Sequence, residues 1–355
     1  MTAATSTLTR LRGTPWLVLK RLAAVPLVLL GLSTMVFIAM RLLPGSPATS
    51  LAAGGTGGNQ SAAEITENAE KINAALGLDK SLPDQYFSFL GDLFTLNLGS
   101  SFYGGNSITG LLGDSLPATI ELTVAAMLIA VLLGMVTGIV AALRKDTWID
   151  TTTRAIGTVS FSLPWFALGV LSIVVFGVWL RWLPVIGRLP NELDYQPFTN
   201  FVLLDAVLQD RPELILPWLE HLLLPAVTLA LSMAGFITRI VRASVLEVLG
   251  DDFVRTARMK GLSSGAILRR HVLRNSSLPI VTVLGLQFGS LLGGSVITET
   301  VFSYPGVGNL LVNGILQRDY PIVQGAALAI ALLFTLVNVA VDLLYLALDP
   351  RLRKA

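Results

Sequence analysis

The sequence predicts an all-α integral membrane protein with six transmembrane helices, and three observations carry that prediction. Charged residues make up 14% of the 355 and hydrophobic ones 53%, whereas soluble domains carry roughly 25% charged residues. The apolar residues fall into six uncharged runs, and a helix needs about 20 such residues to cross ~30 Å of hydrocarbon. The basic residues are dense in alternate loops and sparse in the others, as cytoplasmic retention of Lys and Arg requires.

The first run, Leu22 to Met40, follows Arg10, Arg12, Lys20 and Arg21. It exceeds the roughly 7–15-residue apolar core of a signal peptide and reads as a retained span. Segment 42–116 comes next. It holds a flexible stretch, Gly54, Gly55, Thr56, Gly57 and Gly58, and then a polar helical pattern from Ala62 to Leu76 that Gly77 is placed to end. From Tyr86 to Leu98 the apolar Phe87, Leu90, Leu93 and Phe94 stand at helical spacing. That stretch fits a helix on the membrane surface, and a small soluble cap on the bundle fits it equally. The remaining spans are Leu122 to Leu143, Ala155 to Leu180, Leu222 to Thr238, Leu278 to Thr298 and Val323 to Val341. Trp16, Trp148, Trp179, Trp182 and Trp218 fall near span boundaries, as interfacial aromatics do.

Eighteen of the 25 Lys and Arg lie in residues 1–21, the loops 144–156 and 239–277, and the tail 349–355. Both termini and the 239–277 loop are therefore expected in the cytoplasm, with 22–348 forming one permease domain and 42–116 an acidic outer segment.

No span centre carries an ionisable residue, and Glu121, Glu299 and Asp342 stand at span ends. Coupling to an ion gradient usually needs such a group at the midplane, so none is expected. A phosphate-binding loop would read G-x-x-x-x-G-K-[ST]. Only Lys80 is followed by Ser or Thr, and Asp79 occupies the glycine position. Uphill transport would then draw its energy from another subunit. With no cysteine and only His221 and His271, a metal site would rest largely on carboxylates. The small net charge of +2 gives no case for nucleic acid.

The largest inner loop reads as helix, glycine bend, helix: Asp252 to Lys260, Gly261, then Ser264 to Arg274, closed by Leu278-Pro279. Gly261 permits the left-handed conformation that ends the first helix, and Ser263 or Ser264 can cap the second. Pro279 is expected near the start of the fifth span. The basic residues here could serve topology and lipid headgroups alone, or the helix pair could act as a lever on the flanking spans.

This loop resembles the cytoplasmic signature of binding-protein-dependent ABC importer permeases, with Ala257, Gly261, Leu278 and Pro279 at matching positions. Arg255 and Thr256 replace the usual Glu-Ala, and Ser276 stands where isoleucine is typical. Further stretches are similar to the dipeptide and oligopeptide permease family. They are Met40-Arg-Leu-Leu-Pro-Gly45, Leu76-Gly-Leu-Asp79 with Pro83 and Tyr86, Leu116-Pro-Ala-Thr119 with Glu121, Arg274-Asn275, Glu299-Thr-Val-Phe-Ser-Tyr-Pro-Gly-Val-Gly308 and Arg318-Asp-Tyr-Pro321. The resemblance spans nearly the whole chain and implies a transmembrane domain of the type I ABC importer kind. It implies a subunit with no cofactor of its own, ATP and magnesium residing on partners, in a bacterial cytoplasmic membrane. The implied partners are a second homologous permease, two cytoplasmic ABC ATPases, an extracytoplasmic binding protein and membrane lipid. Asp252, Phe253, Arg255, Thr256, Ala257, Lys260 and Gly261 would seat on one ATPase. Peptides are the implied cargo, with nickel, glutathione or a haem-like compound as alternatives. A membrane scaffold or passive channel is the competing class.

Gly285, Gly289 and Gly293 recur every four residues in the fifth span, which reads either as static helix packing or as a sliding contact between permeases. Gln287, Ser290, Ser295, Asn338 and Ser232 are polar groups inside spans, so they line a path or bond between helices. In the outer turn after Glu299, the Tyr304-Pro305-Gly306 sequence predicts Pro305 and Gly306 at the central positions, with positive φ at Gly306. That turn either gates the outer mouth and meets a binding protein or is a structural re-entry.

Overall fold

A computed structural model describes residues 14–42, 46–54, 62–95 and 97–348. Arg10 and Arg12, Pro44-Gly45, the glycines from Gly55 to Gly58 and the tail 349–355 lie outside the described residues. Among the described residues the secondary structure is helical apart from one isolated bridge, Ser100 to Ser107.

Five helices precede the central bundle sequence: α1 Thr14–Leu42, α2 Pro47–Gly54, α3 Ala62–Ala75, α4 Leu82–Phe94 and α5 Ile108–Leu143. There follow α6 Trp148–Ser162, α7 Trp165–Ser172 with a π-helical extension Ile173–Trp179, and α8 Val202–Leu208. The rest are α9 Ile215–Leu249, α10 Asp252–Met259, α11 Ser264–Ile267, α12 Leu273–Val301, α13 Val307–Gln317 and α14 Tyr320–Leu348. A π-helical turn, Leu268–Val272, joins α11 to α12. Among the described residues four helical stretches are long and apolar enough to cross a membrane: Ile108–Leu143, Pro212–Leu249, Ser264–Val301 and Tyr320–Val341. The bent pair α6–α7 makes a fifth where it is taken as one broken span, and Pro26–Leu42 is a shorter apolar helix at the position of the first expected span.

The third expected span is not straight. α6 and α7 meet at 102°, because Leu163 is extended at φ −81, ψ 132 and Pro164 follows it. A residue before proline is pushed out of the helical region, and proline itself donates no N–H to the preceding turn. Several helices also run past their apolar cores. α5 starts at Ile108, so Glu121 stands inside a helix rather than at its end, and α9 carries Arg239 and Arg242 within its last turns. Pro279 likewise lies inside α12 instead of near its start.

The chain forms two compact units. Ile120–Tyr304 and the chain ends make one, and Pro26–Thr119 with Pro305–Leu332 make the other. In the first, α6 packs on α9 so closely that a side-chain carbon at Gly235 would collide with the backbone of Gly157. Asp150 is fully buried there, accepting from Arg242 Nε at 2.6 Å and Nη2 at 2.7 Å. In the second unit, Ile108, Leu112, Val307, Ile322 and Ala326 form a core. α4 starts where Ser81 caps the Asp84 amide; it stacks Phe89 on Phe37 of α1 and sets Tyr86 edge-on to the same ring. Phe87 and Phe94 of α4 stay exposed. α3 ends before Gly77 at φ +65.

Candidate functional site

The helix pair at 252–274 is built around one glycine. Gly261 has φ +78, its amide donates to Arg258 O at 3.0 Å and that of Leu262 to Ala257 O at 3.3 Å. These two bonds are a Schellman motif, which closes a helix by a residue in the left-handed region. Ser263, not Ser264, caps the next helix through the Ala266 amide at 3.4 Å. Only Val254 and Ala257 of α10 are buried. Asp252, Phe253, Arg255, Thr256, Arg258, Met259 and Lys260 are exposed, Met259 at 75%. Ala257 thus packs within its own chain, and its neighbours provide the accessible surface. Leu278 and Pro279 are exposed on α12.

The turn after α12 differs from its predicted form. Ser303 carries the positive φ, +46, and Gly306 is extended at φ −99, ψ 177 as the N-cap of α13. The Tyr304 amide folds back to Glu299 O at 2.8 Å, which places the left-handed residue just before Tyr304 as in the Schellman arrangement. Pro305 cannot fill that position, since its ring fixes φ near −65°. Glu299 and Tyr304 are both fully buried.

Along α12, Gly285 and Gly289 serve close packing on α14, where added side-chain carbons would run into Val341 and Phe334. Gly293 has nothing within 4 Å of that position. The difference follows from rotation: each four-residue step turns the helix by about 40°, so Gly293 lies ~80° from Gly285. Exposed residues Pro279, Thr282, Ser290, Gly293, Ile297 and Thr300 fall within an arc of about 80° at 100° per residue. Ser290 is the one predicted path residue on that stripe. Gln287 and Asn338 are half-buried, Ser295 is buried and donates to Leu292 O at 2.9 Å, and the buried Ser232 hydroxyl finds no partner among the described residues.

Three polar clusters hold the loops, and those of Glu121 and Asp319 join residues far apart in sequence. Glu121 Oε2 accepts from Arg188 Nη2 at 2.5 Å and Trp218 Nε1 at 3.0 Å, while Oε1 accepts from the Val202 amide at 2.8 Å. Trp218 is therefore buried within the protein; Trp148, Trp179 and Trp182 are exposed. Asp205 is fully buried and accepts from Tyr195 OH, the Phe198 amide, and both the amide and hydroxyl of Thr199. Burial pushes its carboxyl up, but these four donors outweigh burial and hold it below the ordinary aspartate value. Asp319, in the Arg-Asp-Tyr-Pro stretch, accepts from Ser101 Oγ at 2.6 Å and the Phe102 amide at 2.9 Å.

Residues 134–354 match the family described as "Binding-protein-dependent transport system inner membrane component", and residues 15–123 match its N-terminal membrane component. The chain belongs to this family of transport permeases. The permease is 40% identical over 323 residues to "Di/tripeptide transport system permease protein DppB" of Pseudomonas aeruginosa, covering 91% of this chain and 94% of that protein. It is 40% identical over 339 residues to "Probable D,D-dipeptide transport system permease protein DdpB" of Escherichia coli, covering 95% and 97%. Among solved structures, an inward-facing form of the MetNI methionine ABC transporter aligns with TM-score 0.52 at 18% identity, over 68% of the permease and 97% of that chain. The permease thus has the transmembrane fold of type I ABC importers.

Sequence reasoning missed several of the permease's positioning residues. Arg188 lies 67 positions from Glu121 and Tyr195 lies 10 from Asp205; Asp319 stood within the Arg318-Asp-Tyr-Pro321 motif, but its partner Ser101 is 218 positions away. A charged residue next to an apolar run was the only available sign of Glu121's partner.

Proposed function

We propose that the permease is one of two membrane subunits of an ATP-driven importer, forming part of the path for di- and oligopeptides delivered by an extracytoplasmic binding protein. The observation that carries this reading is α10. A rigidly terminated helix with Phe253, Arg255, Thr256 and Met259 exposed is suited to a groove on another protein, and it is tied through α11 and a π-helical turn to α12. Motion of α10 would be transmitted to α12, whose small and polar stripe is uncovered in the single chain. That stripe fits a contact with a second permease and a path between the two. Hydrolysis occurs on ATPase partners, because the sequence has no phosphate-binding loop.

Peptide cargo rests on the near full-length similarity to relatives named as peptide permeases. The positive-inside distribution supports cytoplasmic termini and an outer segment 42–116. The test is uptake in a strain lacking this chain's gene. Loss of labelled di- and tripeptide uptake, restored by the intact chain, is the expected result. Unchanged peptide uptake with lost nickel, glutathione or haem uptake would reassign the cargo.

A further inference from the structure

Three stretches distant in sequence, around Arg41, Leu76-Gly77-Leu78 and Tyr320-Pro321, close round one cavity of about 230 Å³. Arg41 is its fixed charge. The guanidinium carbon lies 3.5 Å from the Phe37 ring centroid and 5.3 Å from that of Tyr320. Its Nε donates to Gln85 Oε1 at 3.0 Å, and the Gln85 amide nitrogen is itself held by the carbonyls of Leu78 at 3.0 Å and Lys80 at 2.9 Å. Nη1 reaches only the Phe37 carbonyl, at 3.4 Å. Among the described residues no carboxylate pairs with Arg41 and Nη2 has no acceptor.

A guanidinium fixed by stacking and by an anchored amide presents its remaining donors in a planar fork, the geometry that matches a carboxylate. Lys80 adds a second cation to the lining, Asp92 supplies one anion, and Asn97 and Gln324 supply amides. The cavity is smaller than the roughly 300–1,000 Å³ of sites for drug-sized ligands, so it suits a small zwitterion with hydrogen-bonding amides. We propose that this cavity binds the free C-terminal carboxylate of a short peptide, with Arg41 as the anion-binding residue. The proposal rests on the peptide reading above and adds a substrate site on the permease itself.

The test uses the full chain in lipid nanodiscs, titrated calorimetrically with Ala-Ala, with its C-terminal amide, and with inorganic phosphate. A hydrogen bond to a charged group contributes about 1.5–3 kcal/mol, so the amide is expected to bind about 10- to 150-fold more weakly than the acid. Arg41→Gln should lower affinity for the acid to that for the amide and leave the amide's unchanged; Arg41→Lys should fall between. The acid-against-amide comparison is made on the unaltered chain and does not depend on the variants folding. Equal binding of acid and amide, or no binding of either, would overturn the proposal. So would phosphate competing as well as the dipeptide, which would make the cavity a phosphate or lipid-headgroup site. Should the assembled importer accumulate dipeptide while the isolated chain binds none, the cavity assignment fails and the peptide reading stands. Binding without accumulation would have the opposite meaning.

Discussion

Replacing Gly261 by valine separates coupling from folding. Gly261 sits at φ +78, and a side-chain carbon there would meet nothing within 4 Å, so the cost is backbone strain alone. For an L-residue in the left-handed region that is about 1–2 kcal/mol, a shift of roughly 5- to 30-fold in the balance between the closed turn and its alternatives. The two Schellman bonds that end α10 depend on this turn, whereas Gly261 is exposed and no membrane helix packs on it. The expected outcome is normal membrane insertion with peptide uptake and peptide-stimulated ATP hydrolysis reduced together in reconstituted vesicles. Gly261→Asn should retain most of both, because asparagine tolerates the left-handed region. Full coupling in the valine variant, or equal loss in the asparagine variant, would refute the account of α10. Ala257 is a poorer probe, since its burial means that Ala257→Asp would disrupt the loop's own packing before any contact with a partner.

Glu121→Gln should lower the unfolding free energy of the detergent-solubilised protein by about 3–5 kcal/mol, because Arg188 is left buried without its anion; Glu121→Gln with Arg188→Met should cost less than the two singles added, as a double-mutant cycle would measure. Gly285→Leu should impair folding by collision with the short branched side chain of Val341, while Gly293→Leu should fold normally and lower uptake if its open face borders the path; thermal unfolding and uptake assays on both read the contrast. Asp205 has a folded value below its unfolded one, so its contribution to stability is present above the ordinary aspartate value of 3.8 and is lost as pH falls through the depressed one. The acid limb of a pH–stability curve should therefore flatten in Asp205→Asn, and an unchanged limb would contradict that assignment.

Much of the architecture is legible from charge and hydropathy because lipid penalises each misplaced charge by several kcal/mol. The spans, the polar helix ended by Gly77 and the glycine-closed helix α10 follow from local rules. The kink at Leu163-Pro164 was readable in principle from the proline, but the uncharged run around it concealed the break. Helix ends beyond the apolar runs were not readable: α5 begins as early as Ile108 and α9 continues to Leu249 through residues whose polarity hydropathy treats as loop. The turn after Glu299 was misassigned because glycine is the usual left-handed residue, whereas Ser303 takes that role and Gly306 caps the next helix. Glu121 with Arg188, Asp150 with Arg242 and Asp319 with Ser101 join residues 67, 92 and 218 positions apart, and only folding brings them together. The glycine series of α12 likewise split between packing and an open face through the 40° drift per four residues.

The central claim is that the permease carries peptide across the membrane using energy supplied by other subunits. The most direct measurement is ATP-driven accumulation of a labelled dipeptide in vesicles containing this chain, a second permease, the ATPase subunits and the binding protein. The account predicts accumulation against a gradient that disappears when this chain is omitted or ATP is withheld. Accumulation that persists without this chain, or none when every component is present and the ATPases are active, would contradict it.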